Sequence, residues 1–328
     1  MKRILAFVLG FGLAANALGQ GLRNMEVVVI VKATNSQFWQ YVLEGAKRAG
    51  ESLGIRVTPQ GAAEEADIAG QIAILENAIT RRPAAIVIAP TASKPLAAPI
   101  EKATKAGIPV VIIDSAGETN LYASFLATDN VAAGRLAADM LAEAIRKKTG
   151  KVEGEVAILS SVPGVSSVEL RNKGFLEGIK KYPGLKVVEN RFANNDPARA
   201  LSITLDYLSR YRNLVGIFAN NNVMGSSAGR ALEQRNIKKV ALVAFDSDDQ
   251  EVELLRKGFI DALIVQDPFM MGYAGVFYAV AARMGVRLPP YVDTGSLAVT
   301  ADNYNSEEIQ GLLNPSKRVV KPFLGPAR

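Results

Sequence analysis

The chain has 328 residues, of which 49% are hydrophobic and 21% charged, and it contains neither cysteine nor histidine. This length and composition are typical of a globular protein of about two domains with a sizeable core, and the missing residue types exclude Ser-His-Asp or Cys-His catalysis, histidine-ligated zinc and disulfides. The net charge of +6 is spread along the chain and does not predict nucleic-acid binding.

The N-terminal segment has the three-part pattern of a secretory signal peptide. Lys2 and Arg3 precede an apolar run over residues 4–13, which is followed by small residues over 15–19. The run is well short of the roughly 20 apolar residues that cross a bilayer. We therefore expect residues 1–19 to be removed after Ala17 or Gly19, and the mature chain to reside in the periplasm without a lipid anchor, since no cysteine follows.

Short runs rich in Val and Ile then alternate with amphipathic stretches, a pattern typical of buried parallel strands joined by helices. The first series predicts strands at 27–31, 55–58, 85–89, 108–113 and 124–127, with helices near 37–53, 66–81, 93–106 and 131–147. A second series predicts strands at 156–159, 186–189, 215–219, 240–245 and 262–265, with helices near 167–181, 197–210, 223–235 and 248–257. Right-handed crossovers then produce two open α/β sheets.

A further amphipathic helix over 269–284 follows the second series and is assigned to the first unit. No Gly/Ser-rich or Pro-rich linker separates the series. The chain is therefore expected to cross between units near Thr128, Gln266 and Gly295, and several parallel crossings form a hinge. The predicted boundaries are a first lobe of 25–127 plus 267–294, a second lobe of 128–266 plus 295–316, and a C-terminal tail of 317–328.

The strands at 108–113 and 240–245 are each followed directly by an aspartate, Asp114 and Asp246. The carboxyl ends of parallel strands line the ligand crevice in open α/β sheets, so both aspartates are candidate ligand-binding residues. Turn formation or helix capping is the alternative role.

Two adjacent aromatic residues, Phe38 and Trp39, close the turn that follows the first strand, and Trp39 is the only tryptophan. Such rings pack in cores, or they stack on the C–H face of a sugar while polar groups bind its hydroxyls. The second unit supplies polar side chains at comparable strand ends, namely Arg171, Asn221, Asn222, Asp246 and Gln266. No GxGxxG or GxxxxGK[ST] motif is present, which disfavours a nucleotide site.

Several short motifs occur in one order along nearly all of the mature chain. The first stretch contains residues 29–32, Phe38-Trp39 and residues 44–46, and the second is the strand with its aspartate at 108–114. The others are Thr128-Asp129-Asn130 with Gly134, Arg171-Asn172-Lys173-Gly174-Phe175, residues 218–221, Phe245-Asp246 and Gln266. In this order they resemble the periplasmic sugar-binding proteins of ABC transporters, specifically the ribose-binding-like group that shares its fold with LacI-type repressor cores.

The resemblance implies an α/β protein with two similar, doubly wound parallel-sheet lobes joined by a three-crossing hinge. It also implies that Phe38 and Trp39 stack on a sugar and that polar residues bind its hydroxyls. The full predicted ligand-binding set is Lys32, Ser36, Phe38, Trp39, Asp114, Ser115, Arg171, Asn195, Asn221, Asp246 and Gln266. Lys32, Ser36, Ser115 and Asn195 differ in type from the ribose binders, and Lys32 with Trp39 is more like the allose-type binders, so we expect a hexose, a pentose or a polyol, in that order.

The implied function is capture of a monosaccharide or polyol between closing lobes and delivery to an inner-membrane ABC permease. The resemblance implies a monomer with no catalytic residue, metal, cofactor or nucleic-acid partner. A sugar sensor for a chemoreceptor or sensor kinase is one alternative. A carbohydrate-active enzyme using Asp114 and Asp246 is another. A repressor would need a helix-turn-helix where the signal peptide lies.

Overall fold

The computed structural model describes residues 24–315, and its contacts divide them into two units. Unit 1 contains residues 24–128, Gly164–Ser167 and Pro268–Thr294, and unit 2 contains Asp129–Pro163, Val168–Asp267 and residues 295–315. The predicted signal peptide and C-terminal tail lie outside the described residues.

Unit 1 is built on a six-stranded sheet in which every neighbouring pair is parallel, with the order β11-β5-β4-β3-β1-β2. Its strands are β1 (Glu26–Val31), β2 (Arg56–Gly61), β3 (Ala85–Ile88), β4 (Val110–Ile113), β5 (Ser124–Ala127) and β11 (Tyr291–Asp293). Its helices are α1 (Gln37–Leu53), α2 (Ile68–Arg81), α3 (Ser93–Lys105) and α9 (Pro268–Arg283). The central strands are buried along their length because apolar residues occupy both faces.

Unit 2 repeats this plan with the strand order β12-β10-β9-β8-β6-β7. Its strands are β6 (Gly154–Ser160), β7 (Leu185–Phe192), β8 (Leu214–Ala219), β9 (Ala241–Phe245), β10 (Ala262–Gln266) and β12 (Ser296–Val299). Its helices are α4 (Asn130–Thr149), α6 (Pro197–Arg210), α7 (Asn222–Gln234), α8 (Asp249–Lys257) and α10 (Glu307–Leu313), and most of α5 (Ser166–Gly178) also belongs to it, followed by a 3₁₀ turn at Ile179–Lys181. Successive strand residues contribute to the core on opposite faces, as with Ile217 and Phe218.

One pair of helices in each unit packs with its backbones in close contact, and glycines make this possible. A Cβ at Gly45 of α1 would lie 2.0 Å from the carbonyl oxygen of Phe269 on α9. In unit 2, a Cβ at Gly174 of α5 would lie 2.1 Å from the carbonyl oxygen of Val131 on α4. These distances are far below any real Cβ contact, so larger residues at either position would push the helices apart.

Each predicted strand and helix is present, with ends displaced by at most a few residues. The prediction missed β11, β12 and α10, which are short. The expected parallel arrangement is wrong at one edge of the second sheet, where β12 pairs antiparallel with β10. Between β10 and β12 the chain passes through α9 and β11 of unit 1, so no helix of unit 2 makes the crossover that usually joins parallel neighbours.

Candidate functional site

Three of the predicted ligand-binding residues form a buried polar cluster in unit 1. Lys32 follows β1, and Asp114 and Ser115 follow β4. The Lys32 ammonium lies 2.7 Å from Asp114 Oδ2 and donates to Ser115 Oγ at 2.6 Å, and that hydroxyl donates to Asp114 Oδ2 at 2.7 Å. All three are at most 3% exposed. The ammonium and the carboxylate therefore neutralise each other, which makes their burial tolerable.

The two strand-end aspartates have the same backbone geometry. Asp114 has φ +61° and Asp246 has φ +76°, in the left-handed region that aspartate tolerates better than most residues. The Asp114 amide donates to the carbonyl of Leu126, and the Asp246 amide donates to that of Ile264, both at 2.9 Å. Each aspartate therefore turns the chain at the end of its strand while bonded to the next strand.

The predicted aromatic pair lies in the first turn of α1. Phe38 and Trp39 are 6% and 2% exposed, and their rings meet edge to face with centroids 4.8 Å apart. Lys32 Nζ lies 5.4 Å from the Trp39 ring centroid, and Trp39 Nε1 donates to Glu65 Oε1 at 2.6 Å. Ser36 occupies the N-cap position of α1, but its buried hydroxyl makes no capping bond and has no hydrogen-bond partner. The structure thus brings Trp39 together with the polar cluster of unit 1.

In unit 2, Arg171 of α5 is held by several contacts. Its Nε donates to Asn130 Oδ1 and its Nη1 to the carbonyl of Asn220, both at 2.9 Å. Its guanidinium carbon lies 3.9 Å from the Phe245 ring centroid, and Nη1 lies 3.8 Å from Asp246 Oδ2. Arg171 is 3% exposed. It is therefore an oriented cation beside the second strand-end aspartate.

The remaining predicted residues of unit 2 surround the same strand ends. Gln266 donates from Nε2 to Asp246 Oδ1, while its buried Oε1 has no hydrogen-bond partner. Asn221 donates to Asn195 Oδ1 at 2.7 Å, and its own Oδ1 caps α7 by accepting from the amide of Met224. Asn195 has φ +58°. Asn221 thus combines the capping role and a place beside the other polar residues.

Two fully buried side-chain amides, which were not among the predicted residues, hydrogen-bond to the backbone and side chains at the strand ends. In unit 1, Gln71 donates to the carbonyls of Val31 and Ala89 and accepts from the amide of Thr91. In unit 2, Asn220 accepts from the amide of Ser161 and donates to Ser160 and Asn172. Each satisfies polar groups that a sheet edge leaves unpaired. A lone amide on the apolar face of a predicted helix was the available signal for Gln71.

A buried carboxyl, Glu251 in the first turn of α8, lies near Asp246 in unit 2. Glu251 is 0% exposed and neither side-chain oxygen has a hydrogen-bond partner. Desolvation by burial, followed by the like charges of Asp248 and Asp246, raises the pKa of Glu251 well above its ordinary value. Gly225 of α7 leaves room for it, because a Cβ there would lie 2.1 Å from Oε1. Burial and the neighbouring like charges therefore both favour the protonated, uncharged form of this carboxyl over the ionised form.

The described residues contain no group of three or more acidic side chains arranged to hold a metal ion. Within the same range, the structure has no helix that combines the length and apolar character needed to cross a membrane.

Residues 27–285 match the model of the periplasmic binding protein domain, so the chain belongs to this family. The ribose import binding protein of Haemophilus influenzae is 28% identical over 274 residues, covering 84% of this chain and 89% of that protein. The D-allose-binding periplasmic protein of Escherichia coli is 28% identical over 273 residues, covering 81% of this chain and 86% of its own.

Solved structures give the same result. A carbohydrate transporter solute-binding protein from Agrobacterium radiobacter, in complex with D-arabinose, is 44% identical with a TM-score of 0.87, covering 89% of this chain and 99% of that one. An ABC transporter solute-binding protein from Agrobacterium vitis with bound D-fucose is 37% identical with a TM-score of 0.82, covering 88% and 99%. The predicted fold class and the prediction of a transport-related binding protein rather than an enzyme are confirmed. The individual ligand-binding residues stay predictions.

Proposed function

We propose that this protein binds a neutral monosaccharide in the periplasm and delivers it to the permease of an ABC transporter. The observation that carries the proposal is the pairing of a strand-end aspartate with a buried cation in each unit. Lys32 lies 2.7 Å from Asp114, and Arg171 lies 3.8 Å from Asp246. Closure of the two lobes around the sugar, with the closed form recognised by the permease, is the mechanism that the family implies.

The charge balance of these two clusters favours an uncharged ligand. Lys32 with Asp114, and Arg171 with Asp246, each pair one cation with one carboxylate, so a charged ligand buried against these pairs would introduce a charge without a counterpart, which is strongly unfavourable. Hydroxyl groups both donate and accept hydrogen bonds, which suits carboxylate and amide acceptors next to ammonium and guanidinium donors. A polyhydroxylated neutral molecule therefore fits better than a sugar acid, a sugar phosphate or an amino sugar.

Two buried polar atoms support the assignment of ligand-binding residues. Ser36 Oγ in unit 1 and Gln266 Oε1 in unit 2 have no protein hydrogen-bond partner, although most buried polar atoms in proteins have one. Both belong to the predicted set, and a sugar hydroxyl would satisfy each. We propose that Phe38 and Trp39 stack on the sugar and that the other predicted residues bind its hydroxyls.

The compartment and partners follow from the family. Periplasmic binding proteins act in the periplasm, and we propose that residues 1–19 direct export. Two of the similar proteins are named for ribose and D-allose, and two of the similar structures contain D-arabinose and D-fucose, which supports a hexose or a pentose as the ligand. We further propose that the protein acts as a monomer. Presentation of the sugar to a chemoreceptor stays a prediction from the resemblance.

A thermal-shift and calorimetric screen of the mature protein tests the proposal. The neutral panel contains D-arabinose, D-fucose, D-tagatose, D-ribose, D-allose and xylitol, and the charged panel contains D-galacturonate, D-ribose 5-phosphate and D-glucosamine. A ligand at about 100 times its Kd stabilises the folded protein by about 2.7 kcal/mol. We expect a large shift with one or two neutral sugars and none with the charged panel. A shift confined to a charged compound would contradict the neutral-ligand argument.

A further inference from the structure

The indole N–H of Trp39 donates a hydrogen bond to Glu65, a residue outside the predicted ligand-binding set. Trp39 is 2% exposed, and its Nε1 donates to Glu65 Oε1 at 2.6 Å. A buried indole N–H needs an acceptor, and hydrogen bonds to a carboxylate are shorter and stronger than neutral ones. We propose that Glu65 is the positioning residue that sets the orientation of the Trp39 ring for sugar stacking. This inference rests on the proposed function.

The segment that carries Glu65 is tied at both ends within unit 1. Between β2 and α2, the carbonyl of Ala62 accepts from the amide of Thr34 at 3.0 Å. At the other end, Asp67 caps α2 by accepting from the amide of Gly70 at 2.8 Å. Thr34 lies in the loop after β1 that begins with Lys32. The segment that carries Glu65 is therefore bonded to the loop that contains Lys32 of the polar cluster.

Three neighbours together define the orientation of the Trp39 ring. Phe38 packs against it edge to face with the two planes 80° apart, Lys32 Nζ lies over the ring, and Glu65 holds the nitrogen at its edge. Of these, only the Glu65 contact is a directional hydrogen bond to the indole. Without the Glu65 carboxylate, the buried indole N–H would lose its acceptor, and the ring would rotate toward another hydrogen-bond acceptor. Supporting contacts of this kind hold binding groups in productive geometry.

The hydrogen bond also determines which part of the ring can contact a ligand. Because Nε1–H is engaged by Glu65, it is not available to a sugar hydroxyl. Trp39 would therefore recognise the apolar C–H face of the sugar through its ring, leaving hydroxyl recognition to Lys32, Asp114 and the polar residues of unit 2. Glu65 thus restricts Trp39 to stacking.

Nuclear magnetic resonance and calorimetry test this role with three variants. Glu65→Ala removes the acceptor, Glu65→Gln retains a side-chain carbonyl, and Glu64→Ala is the matched control, because it removes the same charge from an exposed neighbouring residue. Trp39 is the only tryptophan, so the protein has a single indole ¹H–¹⁵N resonance. We expect an upfield proton shift in Glu65→Ala, a smaller one in Glu65→Gln, and none in Glu64→Ala.

Affinity is then measured for the sugar of the neutral panel that the wild type binds most tightly, beginning with D-arabinose. We expect Glu65→Ala to bind about tenfold more weakly, equivalent to about 1.4 kcal/mol, with Glu65→Gln partly restored and Glu64→Ala within twofold of the wild type. Circular dichroism of each variant verifies folding, and a Glu65→Ala protein that fails to fold leaves Glu65→Gln as the test, with an expected loss of about threefold.

The outcomes separate this inference from the proposed function. An unmoved indole resonance in both Glu65 variants, or a moved resonance with unchanged sugar affinity, would refute the positioning role while leaving sugar binding in place. A wild-type protein that binds no sugar of the panel would refute the proposed function, and the role of Glu65 in stacking with it.

Discussion

The environment of Glu251 predicts how the free energy of unfolding changes with pH, in both sign and slope. The carboxyl is fully buried without a hydrogen-bond partner, and its pKa is raised above 4.5, primarily by desolvation. Between pH 4.5 and the raised pKa, the folded protein retains a proton that the unfolded chain has lost. Stability must therefore fall as pH rises through that interval, by about 1.4 kcal/mol per pH unit, and this contribution becomes constant above it.

Glu251→Gln removes the titration. The variant keeps the size of the side chain and replaces one uncharged polar group that lacks a hydrogen-bond partner with another, so its own contribution to stability does not change with pH. We expect the stability of the wild type relative to the variant to be greatest at pH 5 and to decrease toward pH 8. Urea unfolding followed by far-UV circular dichroism at four pH values between 5 and 8 measures this difference.

Glu253→Gln supplies the matched control on the same helix. Glu253 is exposed, and its hydrogen bond with Lys257 lowers its pKa, so its stabilisation is present above the ordinary pKa and is lost only in more acidic solution. Its effect should be constant between pH 5 and 8. Asp248 and Asp261 also have raised pKa values through burial, but they titrate in both proteins being compared. Parallel stability curves for wild type and Glu251→Gln would refute a buried, protonated Glu251.

Four further predictions concern the ligand and two helical glycines. Asp246→Ala should weaken sugar binding by about 2 kcal/mol or more, because the partner groups are left unpaired, and calorimetry showing unchanged affinity in a folded variant would contradict the assignment. Saturating sugar should change the fluorescence of Trp39, whereas binding without a spectral change would place that ring outside the ligand contacts. Gly174→Ala should lower the free energy of unfolding by about 1–3 kcal/mol, because its Cβ would meet the carbonyl of Val131 at 2.1 Å. Gly311→Ala, where nothing lies within 4 Å of the new Cβ, should instead raise it by about 0.5–1 kcal/mol in the same denaturation assay.

The strands and helices that were predictable from the sequence are those marked by a pattern of consecutive residues. The strand at 27–31 consists of Val and Ile because both faces are buried in a parallel sheet, so a continuous apolar run marks it. Asp114 and Asp246 were identifiable because each interrupts such a run at the edge where ligands bind. By contrast, β11 has three residues and β12 four, too few for a periodicity to be recognised. Their partners β5 and β10 supply the hydrogen bonds that define them.

The contacts that support the candidate site were not predictable because they join distant parts of the chain. Trp39 and Glu65 are 26 positions apart, and Asn220 and Ser160 are 60 apart. Neither Glu65 nor Asn220 differs in type from the many acidic and amide residues of ordinary loops, so nothing in the sequence singles out its partner. The strand ends bring these residues together, and only the folded structure shows which of them meet.

The two units also indicate why a cation accompanies each aspartate. A left-handed aspartate after a buried strand places a carboxylate at the sheet edge with its amide bonded to the next strand, and this geometry is the same in both units. The cation differs, because Lys32 follows β1 in unit 1, whereas Arg171 comes from α5 in unit 2. Charge balance is thus kept in each unit although the cation and the element that carries it differ, and this supports the proposal of an uncharged ligand.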